Sequence, residues 1–236
     1  MKKGVLYLIP TVIAPNTESK ALPSDLVDLC NGLDYFLVEN LRTARRCLSA
    51  MNISKPILEI TFHELSKNTD DSEIAGMMAP LLEGKSIGIM SEAGCPGIAD
   101  PGAKAVAYAH QNDIRVEPWV GPSSIFLALM ASGFSGQSFA FSGYLPIDKK
   151  EKTQAIRTLE QTLFKSGQTQ IFMETPYRNN QLVEDIVKIC APQSKLCIAK
   201  NINAKDEFIK TDSIQNWKRN KPDLHKVPCI FLLGNN

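Results

Sequence analysis

Short, unbroken apolar runs alternate with stretches whose apolar residues recur every three or four positions, which is the pattern of strands and helices taken in turn. The first run, GVLYLI at 4–9, is apolar throughout, as a strand covered on both faces must be, and Pro10 ends it. Ser24 is placed to cap a short helix reaching Cys30. Residues 34–39 (DYFLVE) predict a second strand. Asn40 then caps a helix, LRTARRCLSAM, whose Leu41, Ala44, Cys47, Leu48 and Met51 share one face. A third strand is predicted over 56–61, a polar loop over 63–69, and a helix from Asp71 to Glu83 that Gly84 stops. SIGIM at 86–90 predicts a fourth strand. The segment SEAGCPGIADPG follows it, then a helix AKAVAYAHQ and a fifth strand over 115–120.

A second half begins near Gly121. It reads as a helix over 122–131 ending at Gly133, a strand over 138–142, a charged amphipathic helix over 149–164, a strand over 169–173 and a helix over 177–190. Three further strands, 195–199, 206–211 and 229–233, succeed one another without a long helix, which implies mixed or antiparallel pairing. The expected architecture is α/β in two domains: 1–120 built on a parallel sheet with flanking helices, and 121–236 built on a mixed sheet.

With 236 residues, 44% of them hydrophobic and 22% charged, the chain has the composition of an ordinary soluble protein able to bury its own core. The net charge of +1 gives no global sign of nucleic-acid binding and leaves a local basic patch open. Six cysteines and three histidines show neither a C-x-x-C pair nor zinc-ligand spacing. Most of the cysteines sit in apolar runs, as small hydrophobes in a reducing cytoplasm would. The apolar stretch after Lys2 and Lys3 breaks at Pro10, too short for a signal sequence, and no run approaches the ~20 residues of a membrane span.

Chemistry concentrates at strand ends. SEAGCPGIADPG follows the fourth strand at the carboxyl edge where open α/β sheets bind ligands. Gly94 and Gly97 allow close approach of a ligand to the main chain, Pro96 and Pro101 stiffen the loop, and Glu92 and Asp100 supply carboxylates. No G-x-G-x-x-G, no phosphate-binding G-x-x-x-x-G-K, no G-x-S-x-G and no H-E-x-x-H occurs. Ser123 and Ser124 open a helix, where free amides and hydroxyls suit a carboxylate or ribose, or simply cap. The segment Glu174-Thr175-Pro176-Tyr177-Arg178 follows a strand and could hold an anionic or planar group, or form a surface ion pair. Arg42, Arg45 and Arg46 add positive charge to one helix or form a solvated face.

LYLIPT, SEAGCPGIADPG, GPSSIFLALMASG, FSGYLP and METPYR, in that order from about residue 4 to 233, resemble the tetrapyrrole methylase superfamily. Within it they are most similar to the branch that methylates a ribose 2′-hydroxyl of a small-subunit rRNA cytidine. The resemblance implies S-adenosylmethionine as methyl donor, no metal, a homodimer, and a cofactor held between two α/β domains. Carried over by motif, Pro10, Thr11, Ala93, Gly94, Cys95, Ser123, Ser124, Met173 and Pro228 (with Cys229 beside it) would contact the cofactor. Arg42, Glu174 and Arg178 would face the substrate. Glu39 and Glu92 are the general-base candidates, because a ribose hydroxyl is a poor nucleophile.

Several positions depart from the rRNA branch. Its Glu-Asp-Thr-Arg is Glu39-Asn40-Leu41-Arg42 here, its Gly-Asn after the first strand is Ala14-Pro15-Asn16, and its Ser-Asp-Ala-Gly is Ser91-Glu92-Ala93-Gly94. The basic and acidic motif expected near 199–207 has little counterpart in AKNINAKDE. Ribosomal RNA or the small ribosomal subunit is the expected partner. The alternatives are a tetrapyrrole, another small molecule or a modified protein side chain as acceptor, or a protein that binds the cofactor without catalysis.

Overall fold

A computed structural model describes residues 2–235, which divide into two compact units at Ser123/Ser124. Unit 1 runs β1 (Val5–Ile9), α1 (Glu18–Ala21), α2 (Leu26–Asn31), β2 (Tyr35–Val38), α3 (Leu41–Ala50), a 3-10 turn (Ile57–Glu59), β3 (Thr61–Glu64), α4 (Asp71–Leu82), β4 (Ile87–Met90), α5 (Ala103–Gln111) and β5 (Arg115–Pro118). Its five strands form a wholly parallel sheet of order β3-β2-β4-β1-β5.

The strand period of two sorts side chains between the faces. Leu6, Leu37, Ile87 and Ile89 pack with Ile74, Met78 and Leu81 of α4 and Ala105 and Ala109 of α5. Their neighbours Ile9, Phe36, Val38 and Met90 pack with Leu26 and Cys30 of α2 and Ala44 and Leu48 of α3. Gly88 belongs to this second face, where a Cβ would lie 2.6 Å from the Ile9 Cδ1.

Unit 2 runs α6 (Ser124–Ser132), β6 (Phe139–Tyr144), α7 (Lys149–Ser166), β7 (Thr169–Met173), α8 (Asn179–Ile189), β8 (Lys195–Lys200), β9 (Phe208–Ser213), α9 (Ile214–Arg219) and β10 (Cys229–Gly234). Its sheet has the order β6-β7-β10-β8-β9 and is mixed: β6 and β7 are parallel, and the remaining pairs antiparallel. One face carries α7 and α8, with Ile156, Leu163, Leu182 and Ile186 against Phe172, Ile198 and Phe231. Asp148 caps α7 by accepting the Lys150 and Glu151 amides, and Gly167 ends it in the left-handed region. An ion pair at 3.2 Å between buried Lys152 and half-buried Asp185 clips α7 to α8.

Three expectations need correction, and two short helices, α1 and α9, were not expected. The third strand is not 56–61 but β3 at Thr61–Glu64, which starts at the end of the expected strand and runs into the segment 63–69 expected to be a loop. It lies at the sheet edge and pairs with β2 alone, so TFHE needs no continuous apolar run. The strand expected over 206–211 is shifted to Phe208–Ser213, and α9, too short to show a helical stripe, follows it at once. Asp25 rather than Ser24 precedes the helix at Leu26, without a side-chain cap. The little helix α1 has no buried residue and hence no hydrophobic signal.

Candidate active site

Because β1, β2 and β4 are parallel neighbours, their carboxyl ends share one edge of the sheet in unit 1. There the chain leaves β1 through Pro10, and Thr11 forms an isolated antiparallel bridge with Gly94. The Thr11 amide donates to the Gly94 carbonyl at 2.9 Å, and the Gly94 amide returns a bond of 3.1 Å. The hydroxyl of buried Thr11 donates to the Ser91 carbonyl at 3.3 Å. Gly94 has a φ of +78°, and a Cβ there would stand 3.3 Å from the Pro122 carbonyl oxygen. The Cys95 thiol donates to that same oxygen at 3.4 Å, and burial pushes its pKa up, which keeps it protonated. Gly121 lies so close to the Pro10 ring that any side chain would collide with it. Pro10, Thr11, Gly94 and Cys95 thus form one main-chain cluster with the segment leading to Ser123. Ala93 is exposed beside it, and Ser124 opens α6 in unit 2.

Carboxylates surround this cluster. Glu39, just beyond β2, accepts the Glu92 amide at 3.3 Å, and the Glu92 carboxylate accepts the Thr43 hydroxyl at 3.1 Å. Asn40 caps α3 by accepting the Thr43 amide, and Glu64 accepts the Leu41 amide at 3.3 Å. Asp100 is pushed up to about 6, first by burial and next by the charge of Glu39, against the opposing effects of the Ser91 hydroxyl and Lys67. The sequence marked Asp100 as a loop carboxylate but not as a perturbed one. That perturbation depends on Glu39, which another strand delivers. A carboxyl that titrates near neutrality beside two others can take up a proton near neutral pH. Arg42 lies exposed in the first turn of α3.

The remaining expected residues meet in unit 2. Met173 closes β7 opposite Ile230 of β10, and Pro228 immediately precedes β10, its carbonyl accepting the Asn201 amide at 3.0 Å. The side chain of Glu174 is fully buried, so its pairing with Arg178 is not the surface ion pair that its residue types also allowed. One Glu174 oxygen accepts both the Thr175 amide at 2.7 Å and the Arg178 Nη2 at 2.6 Å. This pairing holds Arg178 above its already high range. The other Glu174 oxygen, the Arg178 Nε and the Asn179 Oδ1 are buried without a hydrogen-bond partner among the described residues. Asn179, which the sequence did not single out, donates from Nδ2 to the Val227 carbonyl at 2.7 Å.

Among the described residues no group of three His, Cys, Asp or Glu is arranged to hold a metal ion, and no helix is long and apolar enough to cross a membrane. No family model matches the chain. It is similar to the solved structures of the methyltransferase CobJ (TM-score 0.64, 13% identity, 99% of this chain and 94% of the other) and of uroporphyrin-III-C-methyltransferase from Thermus thermophilus (0.59, 15%, 98% and 94%). These likenesses show the tetrapyrrole methylase fold. Curated relatives named ribosomal RNA small subunit methyltransferase I include one from Halalkalibacterium halodurans, 28% identical over 99% of this chain and 77% of its own length. The one from Bacillus subtilis is 29% identical over 99% and 76%. The relative from Thermotoga maritima is 31% identical over 80% of this chain and 82% of its own length. With that degree of identity over most of both chains, this protein belongs to the ribosomal RNA small subunit methyltransferase I family, on the tetrapyrrole methylase fold.

Proposed function

We propose that this protein transfers a methyl group from S-adenosylmethionine to a ribose 2′-hydroxyl of small-subunit ribosomal RNA, in the cytoplasm and as a homodimer. The observation that carries the proposal is the Thr11–Gly94 bridge, a main-chain turn held at a positive φ close to the Pro122 carbonyl, with Glu39, Glu92 and Asp100 nearby. A glycine turn of that kind fits a polar cofactor that is read through backbone groups. Pro10, Thr11, Ala93, Gly94, Cys95, Ser123 and Ser124 would hold S-adenosylmethionine, with Met173 and Pro228 as further contacts. Bound there, it supplies a methyl group on a sulfonium centre that departs as a neutral thioether, so no metal is required.

What the protein must add is alignment and a proton acceptor. Glu39 and Glu92 are ordered by the amide of one and the carboxylate of the other, and by Thr43. Asp100 joins them as the group poised nearest neutrality. Arg42 and Arg178 would meet phosphate oxygens or a base edge. In Arg178 the guanidinium is already oriented by Glu174, which limits the freedom lost on binding.

The test is transfer of labelled methyl to small ribosomal subunits lacking their own 2′-O-methylation. A 2′-O-methyl group blocks alkaline cleavage at the adjacent phosphodiester, so the label must emerge in an alkali-stable dinucleotide. Label in an alkali-labile nucleotide would point to base methylation. An absence of label in rRNA would overturn the proposal.

A further inference from the structure

We propose that the exposed corner made by Tyr177, His225 and Lys226 is a stacking platform for an unpaired RNA base and its flanking phosphates. The inference rests on the ribosomal-RNA reading above and names a surface of unit 2 that would grip that substrate.

Tyr177 is 70% exposed although it sits between a buried strand end and the buried Asn179. A lone exposed aromatic is common and means little. This one is framed. Lys226 places its Nζ 5.7 Å from the ring centroid, and the His225 ring meets it edge-on at 6.1 Å. Arg178 follows directly in the chain, anchored on Glu174.

The frame is built from two segments far apart in sequence and is stitched rigid. The Lys226 amide donates to the Pro176 carbonyl at 3.0 Å, and Lys226 itself sits at a φ of +60°, a left-handed conformation unusual for lysine. The Asn180 side chain donates to Asp223 and accepts the Leu224 amide, both at 2.8 Å, while Asn179 holds Val227. A ring held ready in this way loses little freedom when a base stacks on it.

Charge argues the same way. The net +1 of the chain conceals a division: 11 Lys and Arg against 15 Asp and Glu up to Ser123 give −4, and 15 against 10 from Ser124 onward give +5. Lys218, Arg219, Lys221 and Lys226 are all exposed in the nine-residue stretch 218–226 that leads to and includes the corner. The single acid of that stretch, Asp223, is occupied by Asn180 and by the His225 amide, and these bonds hold its pKa low. An exposed ring flanked by cations is the arrangement that binds single-stranded RNA, through base stacking with little sequence preference and through phosphate contacts.

The experiment measures binding of a fluorescein-labelled single-stranded RNA 20-mer, methyl transfer to small ribosomal subunits, and cofactor affinity by calorimetry. Tyr177→Ala should weaken RNA binding about ten-fold and raise the KM for subunits, while Tyr177→Phe stays near wild type. Lys226→Ala should lower the salt slope of RNA binding by about one. Cofactor affinity and thermal midpoint should not move in any variant. Should Tyr177→Ala fail to fold, Tyr177→Leu, which keeps apolar bulk but lacks the ring, decides in its place. Wild-type RNA affinity and KM in the ring-less variant, with an active wild type, would overturn the platform and leave the enzyme assignment standing. A wild type that neither binds RNA nor labels subunits would overturn both.

Discussion

The two corners that gather the expected site residues achieve rigidity by opposite means. In unit 1 the cluster around Gly94 is held by main chain: a two-bond bridge to Thr11, a positive φ, and the Pro10 ring seated against Gly121. In unit 2 the cluster around Glu174 is held by side chains: a buried carboxylate, the guanidinium it orients, and two asparagines reaching to a second loop. The first depends on backbone geometry at Gly94 and Gly121, where an added carbon is strained or meets neighbouring atoms. The second depends on the charge pair of buried Glu174 with Arg178. Backbone-built sites suit a cofactor that is always the same, and side-chain-built sites suit a substrate whose recognition can drift.

The sharpest way to break this contrast is Gly94→Val. A β-branched residue at a φ of +78° is strained, and its side chain enters the space assigned to the cofactor, so affinity should fall about 100-fold or more, by calorimetry. Far-UV circular dichroism should stay close to wild type. Retained affinity would remove Gly94 from the binding site.

Next in size is a comparison of two arginines. Arg178→Ala strands the buried Glu174 carboxylate and should cost about 2 kcal/mol in urea unfolding, whereas the exposed Arg42→Ala should stay within about 0.5 kcal/mol. Equal effects would mean that the Glu174–Arg178 pair does not anchor unit 2.

Asp100→Asn offers a smaller, pH-dependent test. The folded carboxyl titrates at about 6, above the ordinary carboxylate value near 4, so the folded state holds its proton more tightly than the unfolded chain. Its stabilising effect is complete below about pH 4 and is lost as pH rises through about 6. The asparagine variant should therefore gain thermal midpoint relative to wild type at pH 7.5 and gain nothing at pH 4. A pH-independent difference would contradict the burial of Asp100. Smallest of all, Thr43→Val removes the hydroxyl that holds Glu92 and should lower methyl transfer a few-fold, with cofactor affinity unchanged.

How much of this was legible follows from where the physics is local. GVLYLI, SIGIM and the run before Gly234 are strands covered on both faces, and their apolar continuity shows in the sequence. Gly94 and Gly97 were legible because only glycine adopts their backbone angles freely, at +78° and +80°. The edge strand β3 was placed too early in the chain because one neighbour suffices for it, and TFHE carries no apolar stripe. Burial of Glu174 could not be read, since a carboxylate followed four residues later by arginine looks like any solvated helix pair. The perturbed pKa of Asp100 and the frame around Tyr177 each need partners from distant segments, and no window of sequence contains both sides.

The position of β10 has a consequence for the order of assembly during synthesis. Of the described strands Cys229–Gly234 is made after all the others, yet it lies between β7 and β8. Before it emerges from the ribosome, β6–β7 and β8–β9 are two separate ribbons, each with an open edge where β10 belongs. Unit 1, by contrast, has all its strands once Pro118 is made and can close while unit 2 is still being translated. A nascent chain stalled before Cys229 should therefore present one protease-resistant unit and two unjoined strand pairs, one parallel and one antiparallel, that proteases cut readily.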